Sequence, residues 1–273
     1  ALSANLTVNA DKINLNNWLG VSADTASKGT TAVPFVVPNN LDIVLNTNID
    51  RLLYDKVDIQ NLSGTVQVKD EAVVLNNVNG NAMDGKIKIN GSYSTKESKT
   101  KPAIAMSYDV AGVDIQKTFY AFNTAQKLMP IGKYLAGKLT SVLSANGKLG
   151  DHMDIDMSTI SGNGNLFLVE GFLSRFAPLD KIASVLNVKQ LQEISLKDVK
   201  TFFEFSNGKL LIKPFTVKLK DIEMEIGGLQ GFDQSLNYAI NLKLPRALMS
   251  TERTQLVNNL AVAVSVDSSG FIW

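Results

Sequence analysis

The chain has 273 residues, with 27 basic and 26 acidic side chains, a net charge of +1, and 45% apolar content. That length buries a sizeable core in one large domain or two modest ones, and the composition is that of a folded chain. Balanced, dispersed charge gives no field to gather nucleic acid, and the lack of cysteine excludes thiolate chemistry, zinc–cysteine sites and disulfides without fixing a compartment.

The sequence opens at Ala1, without Met, directly in a strand-like pattern. It reads as a fragment or processed form, with residues 1–19 as opening strands that continue a removed upstream sheet. Leu6, Val8 and Ala10 alternate, then Ile13 and Leu15, with a one-residue slip near Asp11. Residues 20–40 are small, polar and Pro-containing, which predicts a mobile surface loop.

Residues 41–150 are expected to form a first β-repeat with a helix. Ile43 and Leu45, Val66 and Val68, Val73 and Leu75, Ile87 and Ile89, and Ile104 and Met106 alternate with polar residues such as Thr65, Gln67, Lys86 and Lys88. That is the pattern of antiparallel strands with one greasy and one wet face. "KDEA", "NNVNGNAMDG" and "STKESKTKP" are expected to supply the turns. A helix is expected over 114–128, with Ile115, Phe119 and Phe122 on one stripe and Pro130 as its stop.

Residues 151–273 are expected to form a second β-repeat with a helix and a closing strand. Strand pattern occupies 139–149 and 160–169. A helix is expected over 173–186, starting near Ala177 because Pro178 sits in its first turn. Strands resume over 194–244, followed by a short helix over 247–260 and a closing strand to Trp273. Laying Asp198 on Asn61, an offset of 137 (198 minus 61), aligns 34 residues without a gap: Val66 and Val68 meet Phe203 and Phe205, Ile87 and Ile89 meet Met224 and Ile226, and Gly91 meets Gly228. Such a repeat means units whose open edges pair with one another.

Reactive chemistry is sparse. The one histidine, His152, lies in "GDHMDID", where the spacing lacks the glycine of a calcium loop and reads as a solvated turn. "GNAMDGKI" and "GKYLAGKL" fit the phosphate-loop spacing but lack its terminal hydroxyl, and the first leads into a strand, so neither is read as a nucleotide site. Phe202, Phe203, Phe205 and Phe215 lack the basic surround of a stacking platform. No catalytic residue, metal site or cofactor is assigned, although a carboxylate-based hydrolase stays open as an enzyme reading.

The stretch "NLSGTVQVKDEAVVLNNVNGNAMDGKIKINGSYS", the segment "LSANGKLGDHMDIDMSTISGNGNLFLVEGFLSRFAPLDKIASVLNV" and "SLKDVKTFFEFSNGKLLIKPFTVKLKDIEMEIGGLQGFDQSLNYAINLKLP" follow one another as in the C-terminal region of the AsmA family of bacterial envelope proteins, which the chain resembles over roughly residues 41–266. The family's N-terminal membrane helix has no counterpart here, and the 20–40 loop and "STKESKTKP" match nothing in it. The resemblance implies a mainly β (α+β) fold: a long curved antiparallel sheet of repeated meanders with two or three short helices packed on it. It also implies a periplasmic domain of an inner-membrane-anchored protein that acts without catalysis in outer-membrane assembly or phospholipid handling. The partners would be phospholipid or another envelope lipid, and envelope proteins.

An apolar sheet face with few helices to cover it agrees with this reading. Each methylene exposed to water costs roughly 0.8 kcal/mol, so a 16-carbon chain needs a continuous track worth on the order of 12 kcal/mol. Phe203, Phe205, Ile212, Met224 and Ile226 are the lipid-contact candidates, because the aromatics are densest there. The alternative is a structural or protein-interaction β-domain whose apolar face is core.

Overall fold

The computed structural model describes residues 2–19, 33–122, 125–126, 129–150, 153–186, 188–232, 235–245 and 271–272. They are mostly strand: β1 (Leu2–Asn14), β2 (Leu41–Tyr54), β3 (Val57–Lys69), β4 (Ala72–Ala82), β5 (Gly85–Ser94), β6 (Ala103–Asp114), β7 (Leu135–Leu149), β8 (Ile155–Ser174), β9 (Glu193–Ser206), β10 (Lys209–Leu219), β11 (Ile222–Gly231), β12 (Leu236–Pro245) and β13 (Phe271–Ile272). The described helices are α1 (Asn16–Leu19), α2 (Ile115–Ala121) and α3 (Ala177–Leu186), with single 3₁₀ turns at Pro130–Tyr134 and Lys189–Leu191.

All thirteen strands lie in one open sheet in sequence order. The expectation of a purely antiparallel sheet is corrected at one edge, where β1 runs parallel to β2. Alternation along a strand is the same in either direction, so the sequence pattern carries no information on this. A parallel neighbour obliges the chain to travel back along the strand before β2 begins. The loop expected over 20–40 lies outside the described residues as far as residue 32. Residues 33–38 run as a strap: Val37 is buried, and its N–H is bonded to Thr95 Oγ1 at 3.1 Å.

Antiparallel connections alternate ends. The 95–102 loop and the hairpins at Asp70–Glu71 and Asn207–Gly208 lie at the upper end, with the strap. The β2–β3 and β4–β5 turns and both helical connections, β6–β7 and β8–β9, lie at the lower end. The helices therefore dock on the lower half of one face. Ile115 and Phe119 of α2, Leu179 and Ala183 of α3, and Val188 and Leu191 are buried, most of them in one cluster with Leu135, Leu139, Leu168, Ile194, Val217 and Met224. The α2 helix is capped by Asp114, whose carboxylate accepts from the Lys117 N–H, and ends at Ala121. Phe122, expected on its stripe, leaves in an extended conformation and is exposed. Leu173, expected in the second helix, closes β8 instead, and α3 starts at Ala177. The expected 247–260 helix lies outside the described residues, as does the closing strand apart from β13.

Strict alternation does not run the length of the strands. In eight of them two consecutive outward residues separate two inward ones: Ala10/Ile13, Ile49/Leu52, Ile59/Leu62, Leu75/Val78, Val110/Val113, Leu168/Gly171, Leu196/Val199 and Ile212/Phe215. At Leu75/Val78, Val110/Val113 and Ile212/Phe215 they are β-bulges with register shifts against the next strand, whereas β1, β2 and β3 skip a residue in step with one another, as β8 and β9 do; φ is positive at Asn61, Asn77, Gly112 and Asp198. The slip read near Asp11 falls in this band: Asp11, Asp50 and Asn61 all drop out of the ladders of β1, β2 and β3. A bulge bends its strand and raises the local twist. Here the extra residue also returns the apolar set to the same face below the band. "NNVNGNA", expected as a turn, is instead the bulged half of β4, and only Met83 and Asp84 make the turn.

The two stretches aligned in the sequence adopt matching pairings. β10 and β11 begin and end where β4 and β5 do after the offset. Val68 pairs with Val73 as Phe205 does with Leu210, Leu75 with Gly91 as Ile212 with Gly228, and Val78 with Ile89 as Phe215 with Ile226.

Ile87 is buried in the helix-packed cluster, while its neighbour Lys88 is exposed. Ile87→Asp is expected to lower stability by about 2–5 kcal/mol in a denaturant melt, and Lys88→Asp by less than about 0.5 kcal/mol. At Asp198, with φ of 52°, substitution by Val is expected to cost about 1–2 kcal/mol relative to substitution by Gly, because a β-branched side chain resists the left-handed region.

Candidate functional site

Above the bulge band, one residue from each of β1 to β11 forms a row across the apolar face: Leu6, Leu45, Val66, Leu75, Gly91, Met106, Ala145, Gly162, Phe205, Leu210 and Gln230, each directly paired with the next. Ile43, Val68, Val73, Tyr93 and Ile104 run alongside it toward the upper end. Val78, Ile89, Tyr108, Leu143, Gly164, Phe203 and Ile212 run alongside toward the lower end.

Coverage divides this surface in two. At the β9–β10 end it is closed. Phe205, Leu210 and Leu143 are buried and gather Phe203, Ile212, Ile160 and Phe232, with Phe203 and Phe205 rings 5.6 Å apart edge-on. From β1 to β6 it is less covered among the described residues: Leu6 is 51% exposed, Met106 46%, and Leu75 is exposed, while Leu45, Val66 and Gly91 in the same row are half-buried. Five strand spacings of about 4.8 Å make this open floor roughly 24 Å long.

Glycines set its depth. At Gly164 a Cβ would lie 2.5 Å from the Phe203 ring, so that ring covers the strand where glycine leaves it bare. At Gly162 a Cβ would sit 2.3 Å from the Ser144 carbonyl oxygen. Gly91 differs: a Cβ there meets nothing closer than 3.4 Å, and the position lies in the open floor between Leu75 and Met106. The polar atoms on this face are satisfied. Tyr108 Oη lies 3.3 Å from Ser141 Oγ, which donates to the Asn165 carbonyl at 2.7 Å, and burial raises the Tyr108 pKa.

The candidate contacts named from sequence share this one face but differ in access. Met224 is fully buried under the helical end, and Phe205 is buried in the upper cluster. Phe203, Ile212 and Ile226 are half-buried. Leu6, Leu75, Gly91 and Met106, which form the accessible part, were missed by a search for dense aromatics. Their signal is the combination of alternation with a small residue at Gly91. Two surface depressions, of about 400 and 540 Å³, lie outside this row; the first is lined by Asn79, Lys86, Lys88 and Asp109 with Ile87, the second by Lys56, Asp58, Asp84 and Lys117 with Val57, Ala82, Met83 and Tyr120. The Asp84–Lys117 ion pair of 2.7 Å holds α2 to the β4–β5 turn and keeps the Asp84 carboxyl below its usual range. Being exposed, it contributes little stability.

Among the described residues no three His, Asp or Glu side chains gather as a metal site, and His152 lies outside them. "GNAMDGKI" is a hairpin between β4 and β5, and "GKYLAGKL" passes from a 3₁₀ turn into β7. Among the described residues no helix is long and apolar enough to cross a membrane. The chain matches no family model, no curated protein and no solved structure.

Gly162→Ala is expected to cost about 1–3 kcal/mol, because backbone must move to admit the methyl group. Gly91→Ala is expected to change stability by less than about 0.5 kcal/mol. Paired thermal melts check both.

Proposed function

We propose that this chain is a non-catalytic, AsmA-like module of the bacterial cell envelope. In this reading it is the periplasmic domain of an inner-membrane-anchored protein and serves outer-membrane assembly by handling phospholipid in the open part of its apolar face. The observation that carries the reading is the unequal covering of that face. Helices close its lower half and aromatics its β9–β10 end, while Leu6, Leu75 and Met106 stay accessible along one row. An acyl chain needs continuous apolar contact, since each methylene left in water costs roughly 0.8 kcal/mol, and a row running across hydrogen-bonded strands is continuous by construction.

We further infer that the curved sheet is assembled from copies of one meander, with β3–β5 and β9–β11 as two of them. Their shared strand bounds, shared bulge and shared pairings support this. Repetition of a unit with one apolar face extends a track without inventing a pocket, which suits an elongated ligand better than a compact one.

Photo-crosslinking residues placed at Leu75 and Met106 are expected to capture phospholipid in the native membrane context, and those at Lys88 and Gln67 on the opposite face are not. Gly91→Phe is expected to fill the floor, keep the melting temperature within a few degrees and abolish lipid adducts at both positions. Absence of adducts in folded protein would leave a structural or protein-interaction β-domain.

A further inference from the structure

The first strand has a bare edge. β1 pairs with β2, and among the described residues no strand pairs with its other side. One bond fixes which backbone groups are free there. The Leu2 N–H donates to the Asn40 carbonyl at 2.7 Å, on the β2 side. Backbone groups alternate sides along a strand, so Leu2, Ala4, Leu6, Val8 and Ala10 bond toward β2, and Ser3, Asn5, Thr7 and Asn9 present their N–H and C=O at the free edge. A row of unpaired backbone donors and acceptors is complementary to another strand.

Edge strands are ordinarily defended by charge, proline or a bulge. Residues 2–10 carry no charge and no proline, and their pairing with β2 is uninterrupted as far as Ala10. Asp11 and Lys12, with the skipped residue, come only below that stretch. In composition this half of β1 is like β4, which is uncharged from end to end and is paired on both sides. It is built as an interior strand and stands at an edge.

We propose that this edge pairs with the same edge of a second copy of the chain, antiparallel, about a two-fold axis at Leu6. The strand's own pattern selects that occupant. With Leu6 opposite Leu6 of the second copy, Ala4 meets Val8 and Leu2 meets Ala10 on the apolar face, while Asn5 meets Thr7 and Ser3 meets Asn9 on the wet face. Apolar faces apolar, polar faces polar, and no like charges are opposed. The four outward residues of each copy then exchange about eight N–H···O=C bonds, and sliding the copies by two residues either way leaves about six. The pairing joins the two apolar rows end to end through Leu6, which is 51% exposed at the bare edge. It requires no lipid, so the inference goes beyond the function proposed above and does not depend on it.

The chain has no cysteine, so introduced cysteines report the register. Opposed residues that do not bond to each other lie about 4.5 Å apart at Cα in an antiparallel pair, within disulfide range. Under mild oxidation, Leu6→Cys in the whole, lipid-free chain is expected to give a linked dimer. Ala4→Cys and Val8→Cys should each link at least about tenfold more slowly alone, and readily when mixed. Sedimentation of the parent should show a mass rising from one chain toward two with concentration. Thr7→Pro removes an N–H that β2 does not use, and Ser3→Lys with Asn9→Lys opposes like charges across the axis. Each is expected to weaken self-association by at least about tenfold while melting as the parent does in dilute solution. A parent that stays monomeric, or linkage that does not depend on position, would overturn the proposal. So would protection of the Asn5 and Thr7 amides from hydrogen exchange in the monomer, which would mean that another segment of the chain covers the edge. Leu6 linkage in a protein that gives no lipid adducts at Leu75 and Met106 would uphold this proposal while the one above fails.

Discussion

A sheet whose strands pair only with their chain neighbours has no second layer of its own, so everything else in this protein follows from how its apolar face is covered. Hydrogen bonding between strands satisfies the backbone but leaves that face untouched. Cover has to come from the connections, and antiparallel order sends alternate connections to opposite ends. The two helical connections are separated by two strands, β7 and β8, and so fall on the same end. Among the described residues the lower half is closed by two helical connections, whereas the upper half receives the strap and, at the β9–β10 end, Phe232 of the β11–β12 connection, an asymmetry of topology before it is one of composition.

The bulge band is what allows a long strand to serve both halves. Strands twist along their length, and an extra residue in mid-strand resets which side chains face the helices. Two consecutive outward residues, most often polar ones such as Asp11-Lys12, Asp50-Arg51, Gln60-Asn61 and Lys197-Asp198, reset the alternation at a cost in local backbone strain at Asn61 and Asp198. β5, β7 and β11 keep plain alternation beside them, so the register shifts are absorbed between neighbours rather than accumulated.

The class of fold and most strand positions were legible because period-2 alternation is dictated by geometry and survives packing. The start of the second helix was legible too, since Pro178 fits only a first turn. The direction of β1 was not, because parallel and antiparallel neighbours impose the same alternation. "NNVNGNA" was misread because asparagines signal turns until the outward face of a bulged strand is allowed to be asparagine. Of the candidate site, the face was readable but its accessible part was not. Aromatic density marks where a face buries itself, as Phe203 and Phe205 do, and says nothing of where cover is missing, which depends on which end each connection reaches.

A single exposed leucine on a protein surface carries no information, since much of any folded surface is apolar. Arrangement is more telling. Leu6, Leu75 and Met106 lie in one ladder of direct pairs, with Gly91 between the last two. At Gly91 a Cβ would make ordinary contacts with the Ala105 carbonyl oxygen at 3.4 Å and Leu75 Cδ1 at 3.8 Å, so a methyl group fits there and would add β-propensity. At Gly164, by contrast, the Phe203 ring already occupies that space. One face thus uses glycine in two ways, beneath a covering ring at its closed end and with room for a methyl group at Gly91. Room that packing does not require is what the proposed lipid track would use.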